Sequence, residues 1–106
     1  MTTSTENVLL NIVTLPAIEE SLVDWLLARE DISGFSSSHV RGHGTHHSRL
    51  NMSEQVAGRQ QQVLIRIQTT RNIAETIIND LQHDFAGTDM HYWLLPVLAE
   101  GHLRLD

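Results

Sequence analysis

The chain has 106 residues and a formal net charge of −6, with 13 acidic residues against seven arginines and no lysine. This length predicts a single small domain over residues 1–106, and the acidity excludes a nucleic-acid binder, which needs a basic face for phosphates. Because the sequence has no cysteine, disulfides, thiolate nucleophiles and cysteine-based metal sites are also excluded.

The N-terminal residues and the length of the apolar runs indicate where in the cell the protein is located. No apolar run approaches the length of a membrane span, and residues 1–6 lack the basic and apolar regions of a signal peptide. We therefore expect a flexible N-terminus over residues 1–6 and a cytoplasmic protein without direct membrane insertion.

The first half of the chain predicts a strand, a helix and a second strand. Residues 8–14 form an apolar run rich in β-branched side chains, which is typical of a strand. Pro16 suits the first turn of a helix, and the apolar residues after it recur at helical spacing as far as Arg29 and Glu30. Residues 32–41 predict a second strand, weakened by three consecutive serines.

The second half predicts a strand, a helix and a last strand. Residues 59–69 alternate as a strand does, and Asn72, with Glu75 three residues later, is expected to cap a helix. Residues 90–97 predict the last strand, whose Pro96 favours a sheet edge. The order β-α-β-β-α-β is the ferredoxin-like α+β pattern, a four-stranded antiparallel sheet with two helices on one face.

The other face of this sheet has no helix to cover it. The third and fourth strands carry apolar residues on both faces, and leaving them in water forgoes about 25 cal/mol per Å² of apolar area. An oligomer that packs these faces together removes this cost. The alternative is that a few apolar side chains simply face solvent.

A long polar segment, residues 42–58, connects the second and third strands and concentrates histidine. Neutral imidazole is the commonest protein metal ligand, and several imidazoles beside a carboxylate suit zinc, copper or nickel. The candidate metal ligands are His39, His43, His46, His47 and Glu54. The alternative is that these histidines are merely solvated, because their spacing matches no specific metal motif.

Catalytic arrangements are hard to assemble from this sequence. His43 and Ser48 lack an identifiable third group and oxyanion donors. Asp89 with His91 is typical of the entry to a strand, and packing explains it better than chemistry does. We therefore expect a protein that is not an enzyme.

The chain resembles the nitrogen regulatory PII superfamily in the order of Ile32 to Phe35, Val40 to Gly44, the long segment, Val63 to Ile65 and Pro96-Val97. More closely, it resembles a branch of PII-like proteins whose genes tend to accompany heavy-metal efflux systems. Four segments mark this branch, and all are present in order: Ser33-Gly34-Phe35, Gly42-His43-Gly44, Glu54 to Gln60 and His91 to Val97. The resemblance covers the chain from Val8 to Leu98.

The resemblance implies a homotrimer with ligand clefts between subunits, near the base of a long loop called the T-loop, which matches residues 42–58. Classical PII proteins bind ATP or ADP in that cleft. Their phosphate-contacting lysine is replaced here in the Gln60-Gln61-Gln62 run, and a neutral amide cannot supply charge-assisted contacts. The resemblance leaves as candidate anion or nucleotide contacts Gly42, Gly44, Arg41, Arg59 and Arg104.

Two hypotheses for function follow. In the first, a PII-like trimer binds a transition metal, zinc or copper, through the loop histidines and regulates a heavy-metal efflux transporter in the membrane through its long loop. In the second, it senses a nucleotide or another small anion in the intersubunit cleft. The exchange of basic groups for imidazoles favours the first.

Overall fold

A computed structural model describes residues 5–43 and 60–104 of the chain. In these ranges the elements are β1 (Asn7–Thr14), α1 (Pro16–Leu27), β2 (Ser36–Gly42), β3 (Gln60–Thr70), α2 (Arg71–Asp84) and β4 (His91–Pro96). The strands form one antiparallel sheet in the order β2-β3-β1-β4. The predicted ferredoxin-like α+β fold is therefore confirmed, and β4 is an edge strand, where Pro96 is tolerated.

The predicted start of the second strand was wrong. β2 begins at Ser36, and its pairing with β3 starts there rather than at Ile32. Ile32 and Phe35 instead pack against the core from the connection between α1 and β2. Their apolar character reflects burial and not strand pairing, which composition alone cannot distinguish.

Both predicted helix boundaries needed adjustment. α1 ends at Leu27, before the predicted Arg29. α2 begins at Arg71, so Asn72 lies inside the helix, and Thr70 occupies the cap position without a side-chain capping bond. The Thr70 hydroxyl donates to the Asn72 side-chain oxygen at 2.9 Å. This is the oxygen that was expected to cap the helix. Within the long segment, the sequence from Met52 to Ala57 also predicts a short helix, and these residues lie outside the described ranges.

The core lies between the two helices and one face of the sheet. Alternate residues of β1 and β3 point into it, as the period of two requires, and meet the apolar stripes of α1 and α2. The buried residues are Val8, Leu10, Ile12, Leu22, Leu26, Val63, Ile65, Ile67, Ala74, Ile77, Ile78 and Leu81. Full burial of one such aliphatic side chain contributes about 1.5–3 kcal/mol, so this layer fixes which face of each strand is inward.

The opposite face of the sheet, here called the outer face, is now defined by strand register. Its central residues are Leu9, Asn11, Val13, Leu64, Arg66, Gln68, Trp93 and Leu95. Trp93 and Leu95 of β4 are 36% and 46% exposed. The structure thus resolves which apolar row of β3 and of β4 is left uncovered by the helices. It also shows that Arg66 interrupts the apolar surface.

A polar cluster fastens the C-terminal ends of the two helices together. Arg29 donates to Asp31 at 2.7 Å and to Asp80 at 2.9 Å, and its guanidinium lies 4.9 Å from the centre of the Trp25 ring. The indole N–H of Trp25 donates to Asp84 at 2.8 Å. The Arg29 hydrogen bond lowers the pKa of Asp31, and the Trp25 hydrogen bond lowers the pKa of Asp84.

These two carboxylates predict a loss of stability in acid. Because their pKa values are lowered in the folded state, the stabilisation is complete above the unfolded value of about 3.9 and is lost as the pH falls through the folded values. Urea unfolding between pH 6 and pH 2.5 should show this fall. Arg29→Gln should make the acid-side fall shallower, because the pKa of Asp31 loses its main cause. An identical fall in the variant would contradict the assignment.

Candidate functional site

The ends of the long segment lie side by side at one end of the sheet. Gly42, the last residue of β2, pairs with Gln60, the first residue of β3. The side-chain amide of Gln62 lies across Gly42, and a Cβ at this glycine would meet it. The glycine therefore lets β2 and the Gln62 side chain approach closely where the segment begins.

A cleft of about 270 Å³ lies at this same end of the sheet, next to the segment's base. It is lined by Val13, Thr14, Leu15, Gln60, Gln62, Asp89, Met90 and His91. The Thr14 hydroxyl donates to the backbone oxygen of Asp89 at 3.3 Å, which ties the connection between α2 and β4 to the end of β1. Three connections thus converge on one concave surface.

The described lining of the cleft is polar and carries no basic arginine side chain. It offers the Asp89 carboxylate, the His91 imidazole and the carboxamides of Gln60 and Gln62. No arginine belongs to the lining in the part of the chain that the structure describes. Among the described lining residues, a polyphosphate placed here would face a carboxylate and no charge-assisted donor.

The sequence analysis interpreted Asp89 and His91 as packing residues and did not predict that both line this cleft. His91 is exposed on β4, with its ring centre 5.4 Å from that of Trp93. The pairing of Val13 with His91 places it beside the end of β1. Neither spacing nor composition signals this, because the cleft forms only when β1, β3 and β4 are adjacent.

The predicted metal ligands divide into described and undescribed residues. His39 lies in β2, and its Nε2 is 3.0 Å from Oε1 of Glu19 on α1. His43 is exposed directly after β2. His46, His47 and Glu54 lie outside the described residues. Within residues 5–43 and 60–104, no three histidine, aspartate or glutamate side chains are grouped so that they could hold a metal ion.

Of the candidate anion contacts that the structure describes, Arg41 and Gly42 lie together and Arg104 lies apart from them. Arg41 is exposed on β2 at the segment's end of the sheet, beside Gly42. β4 then carries the chain to the opposite end, where Pro96 pairs with Val8, before the tail that contains exposed Arg104. Gly44 and Arg59 lie outside the described residues.

In the described ranges, neither α1 nor α2 is long and apolar enough to cross a membrane.

The sequence matches the family described as "Protein of unknown function (DUF3240)" over residues 4–104, and the chain belongs to this family. None of the curated proteins matches it.

Solved structures with the same fold include a DUF3240 family protein from Shewanella baltica OS155, with 22% identity and a TM-score of 0.76 over 96% of this chain and 100% of that one. CPII, a nitrogen regulatory PII-like protein from Thiomonas intermedia K12 bound to ADP, AMP and bicarbonate, has 16% identity and a TM-score of 0.67, covering 95% and 100%. The GlnK–ATP complex of B. subtilis has 16% identity and a TM-score of 0.61, covering 89% and 85%. The chain therefore has the fold of PII-like proteins.

Proposed function

We propose that this member of the DUF3240 family is a trimeric PII-like regulatory protein that binds a transition metal, zinc or copper, at the base of its long segment. It acts in the cytoplasm without catalysing a reaction. Metal binding changes the conformation of residues 42–58, which then contact a heavy-metal efflux transporter. The observation that carries the proposal is a cleft beside the segment's base that offers carboxylate and imidazole and no arginine in its described lining.

The outer face supports the trimer. Trp93 and Leu95 remain exposed on β4 beside Leu9 and Val13 of β1. Exposed apolar side chains clustered on one face often mark interaction sites in soluble proteins, even where a residue such as Arg66 interrupts them. Packing three outer faces together buries it and leaves the helices on the outside. The cleft at the segment's base then lies where neighbouring subunits can complete it.

Ligand chemistry supports the metal. Three histidines lie in the long segment, as His43, His46 and His47, and His39 precedes them. With no cysteine in the chain, nitrogen and oxygen must hold the ion, which suits zinc, copper(II) or nickel. Glu54, Asp89 and His91 are further donors of the same kind. The ion would draw the segment toward the sheet, because its ligands come from both.

A nucleotide sensor is the second candidate. It is favoured by two structures of the same fold, one bound to ADP, AMP and bicarbonate and the other to ATP. In this chain the phosphate partners would be Arg41 and Arg59 with Arg104 from a neighbouring subunit. The run Gln60-Gln61-Gln62 replaces the positive charge that the PII resemblance implies at the start of β3, which weakens polyphosphate binding.

Parallel calorimetric titrations of the metal-free protein distinguish the two candidates. We expect zinc or copper(II) to bind with a dissociation constant in the micromolar range or tighter, about −8 kcal/mol or more favourable. ATP and ADP should bind at least tenfold more weakly. Tight binding of ATP or ADP without heat from either metal would favour the nucleotide sensor instead.

A further inference from the structure

We propose that Arg66 of each subunit forms part of a site that binds a small oxyanion where the three outer faces pack together. The inference rests on the outer-face trimer of the proposed function and is independent of metal sensing. Arg66 is an exposed residue of β3 that interrupts the apolar surface of this face. A guanidinium remains charged in proteins, so the assembly has to accommodate its charge.

Four side chains form a row across the outer face, one from each strand. Strand register pairs Ser36 of β2 with Arg66 of β3. It also pairs Asn11 of β1 with Arg66 on one side and with Trp93 of β4 on the other. Residues directly opposite in an antiparallel ladder share a face, with Cβ atoms about 4.5–5.5 Å apart. All four side chains carry an N–H or O–H donor, and none is a carboxylate.

Asn11, in the middle of this row, is buried although it lies on the outer face. Only 4% of it is exposed, while both helices lie on the other side of the sheet. Its exposure is therefore limited by side chains of the outer face, and Arg66 and Trp93 are the two directly opposite it. The Asn11 amide also donates to the backbone oxygen of Leu9 at 3.3 Å. The row is thus a packed unit and not a set of separate surface side chains.

Arg66 has no counter-charge on this face. The strand residues of the outer face include no aspartate or glutamate, although the chain has 13 acidic residues. Among the described residues, the arginine ion pairs are those of Arg29 and Arg71, and Arg66 has none. A second copy of the chain brings the same outer face, so its strands supply no carboxylate to Arg66 either.

Packing three outer faces together therefore removes three guanidinium groups from water without a protein anion to pair with them. A buried charge without a partner is strongly destabilising. An oxyanion accepts charge-assisted hydrogen bonds from guanidinium groups and offsets their charge. One ion shared by the three Arg66 side chains reconciles the apolar packing with the charge. Phosphate and sulfate suit this position, because each presents oxygens in several directions.

Light scattering over a dilution series, in sodium phosphate and in sodium chloride of equal ionic strength, tests the site. The trimer of the unchanged protein should persist to lower protein concentration in phosphate. One ion per trimer, present at about ten times its dissociation constant, raises the association constant about elevenfold. Thermal unfolding in the two buffers gives the same comparison for a trimer too tight to dissociate on dilution.

Two variants remove the need for the ion in different ways. Arg66→Leu should form a trimer that does not respond to phosphate, because an apolar side chain replaces the buried charge. Asn11→Asp places a carboxylate directly opposite Arg66 and should also lose the response. The matched control is Arg71→Gln, at an arginine of α2 that pairs with Glu75 at 3.3 Å. This variant should respond to phosphate as the unchanged protein does.

The outcomes separate this inference from the proposed function. A trimer of the unchanged protein that is equally stable in phosphate and chloride would overturn the anion site and leave the trimer intact. A monomer in both buffers would overturn both. A phosphate response retained in Arg66→Leu, or lost in Arg71→Gln, would mean that the ion binds elsewhere and would also overturn the Arg66 site.

Discussion

Leu95→Glu is expected to convert the proposed trimer into monomers at micromolar concentration. Leu95 lies on the outer face, paired with Leu9 of β1, and a trimer that packs its outer faces together would bury the three introduced carboxylates. Burial of an ionised group without a partner costs several kcal/mol. Because each 1.4 kcal/mol is a tenfold change in an equilibrium constant, the assembly should dissociate. Light scattering measures the mass directly.

Tyr92→Glu is the matched control for this experiment. Tyr92 is on the same strand and is 47% exposed, against 46% for Leu95, but it points to the side of the sheet where α2 lies. The variant should remain a trimer, since its carboxylate stays in water. A trimeric Leu95→Glu protein, or a monomeric unchanged protein, would show that the outer face is not the subunit interface.

Most of the fold could be predicted because the spacing of apolar residues along the chain distinguishes helices from strands. The alternation of Val63, Ile65 and Ile67 and the helical spacing of Ile77, Ile78 and Leu81 correspond to buried positions in the structure. Such patterns record which side of an element is buried. The second strand was harder to predict, because Ile32 and Phe35 are partly buried against the core without belonging to a strand. Local composition cannot separate burial in a connection from burial in a strand.

The candidate site could be predicted only where its ligands are close in sequence. The histidine-rich segment is visible as composition, whereas Asp89 and His91 gain their importance from the adjacency of β1 and β4. The contact between His39 and Glu19 could not be predicted either, because nothing in the local sequence of one residue indicates the other. Contacts between elements distant along the chain depend on the packing angle and register of the sheet, which no local pattern encodes.

Strand order explains why the arginines could not be placed from sequence. Arg41 and Arg104 were grouped as anion contacts, but β4 carries the chain away from the segment's end of the sheet before Arg104 is reached. An anion that contacts both Arg41 and Arg104 would therefore need the proposed subunit assembly to bring them together. Histidines in one segment need no such assembly to converge. This difference in geometry, together with the absence of lysine, is the physical reason for preferring metal to nucleotide.

The most direct test of metal sensing is the affinity of the triple variant His43→Ala, His46→Ala, His47→Ala for zinc and copper(II). We expect the affinity to fall at least about tenfold, with little change in thermal stability, because these histidines are predicted to lie in a loop outside the core, where substitutions rarely alter stability by more than about 0.5 kcal/mol. In the unchanged protein, binding should weaken in acid, since imidazole must be neutral to coordinate. Unchanged metal affinity in the triple variant would contradict the account and favour the anion sensor.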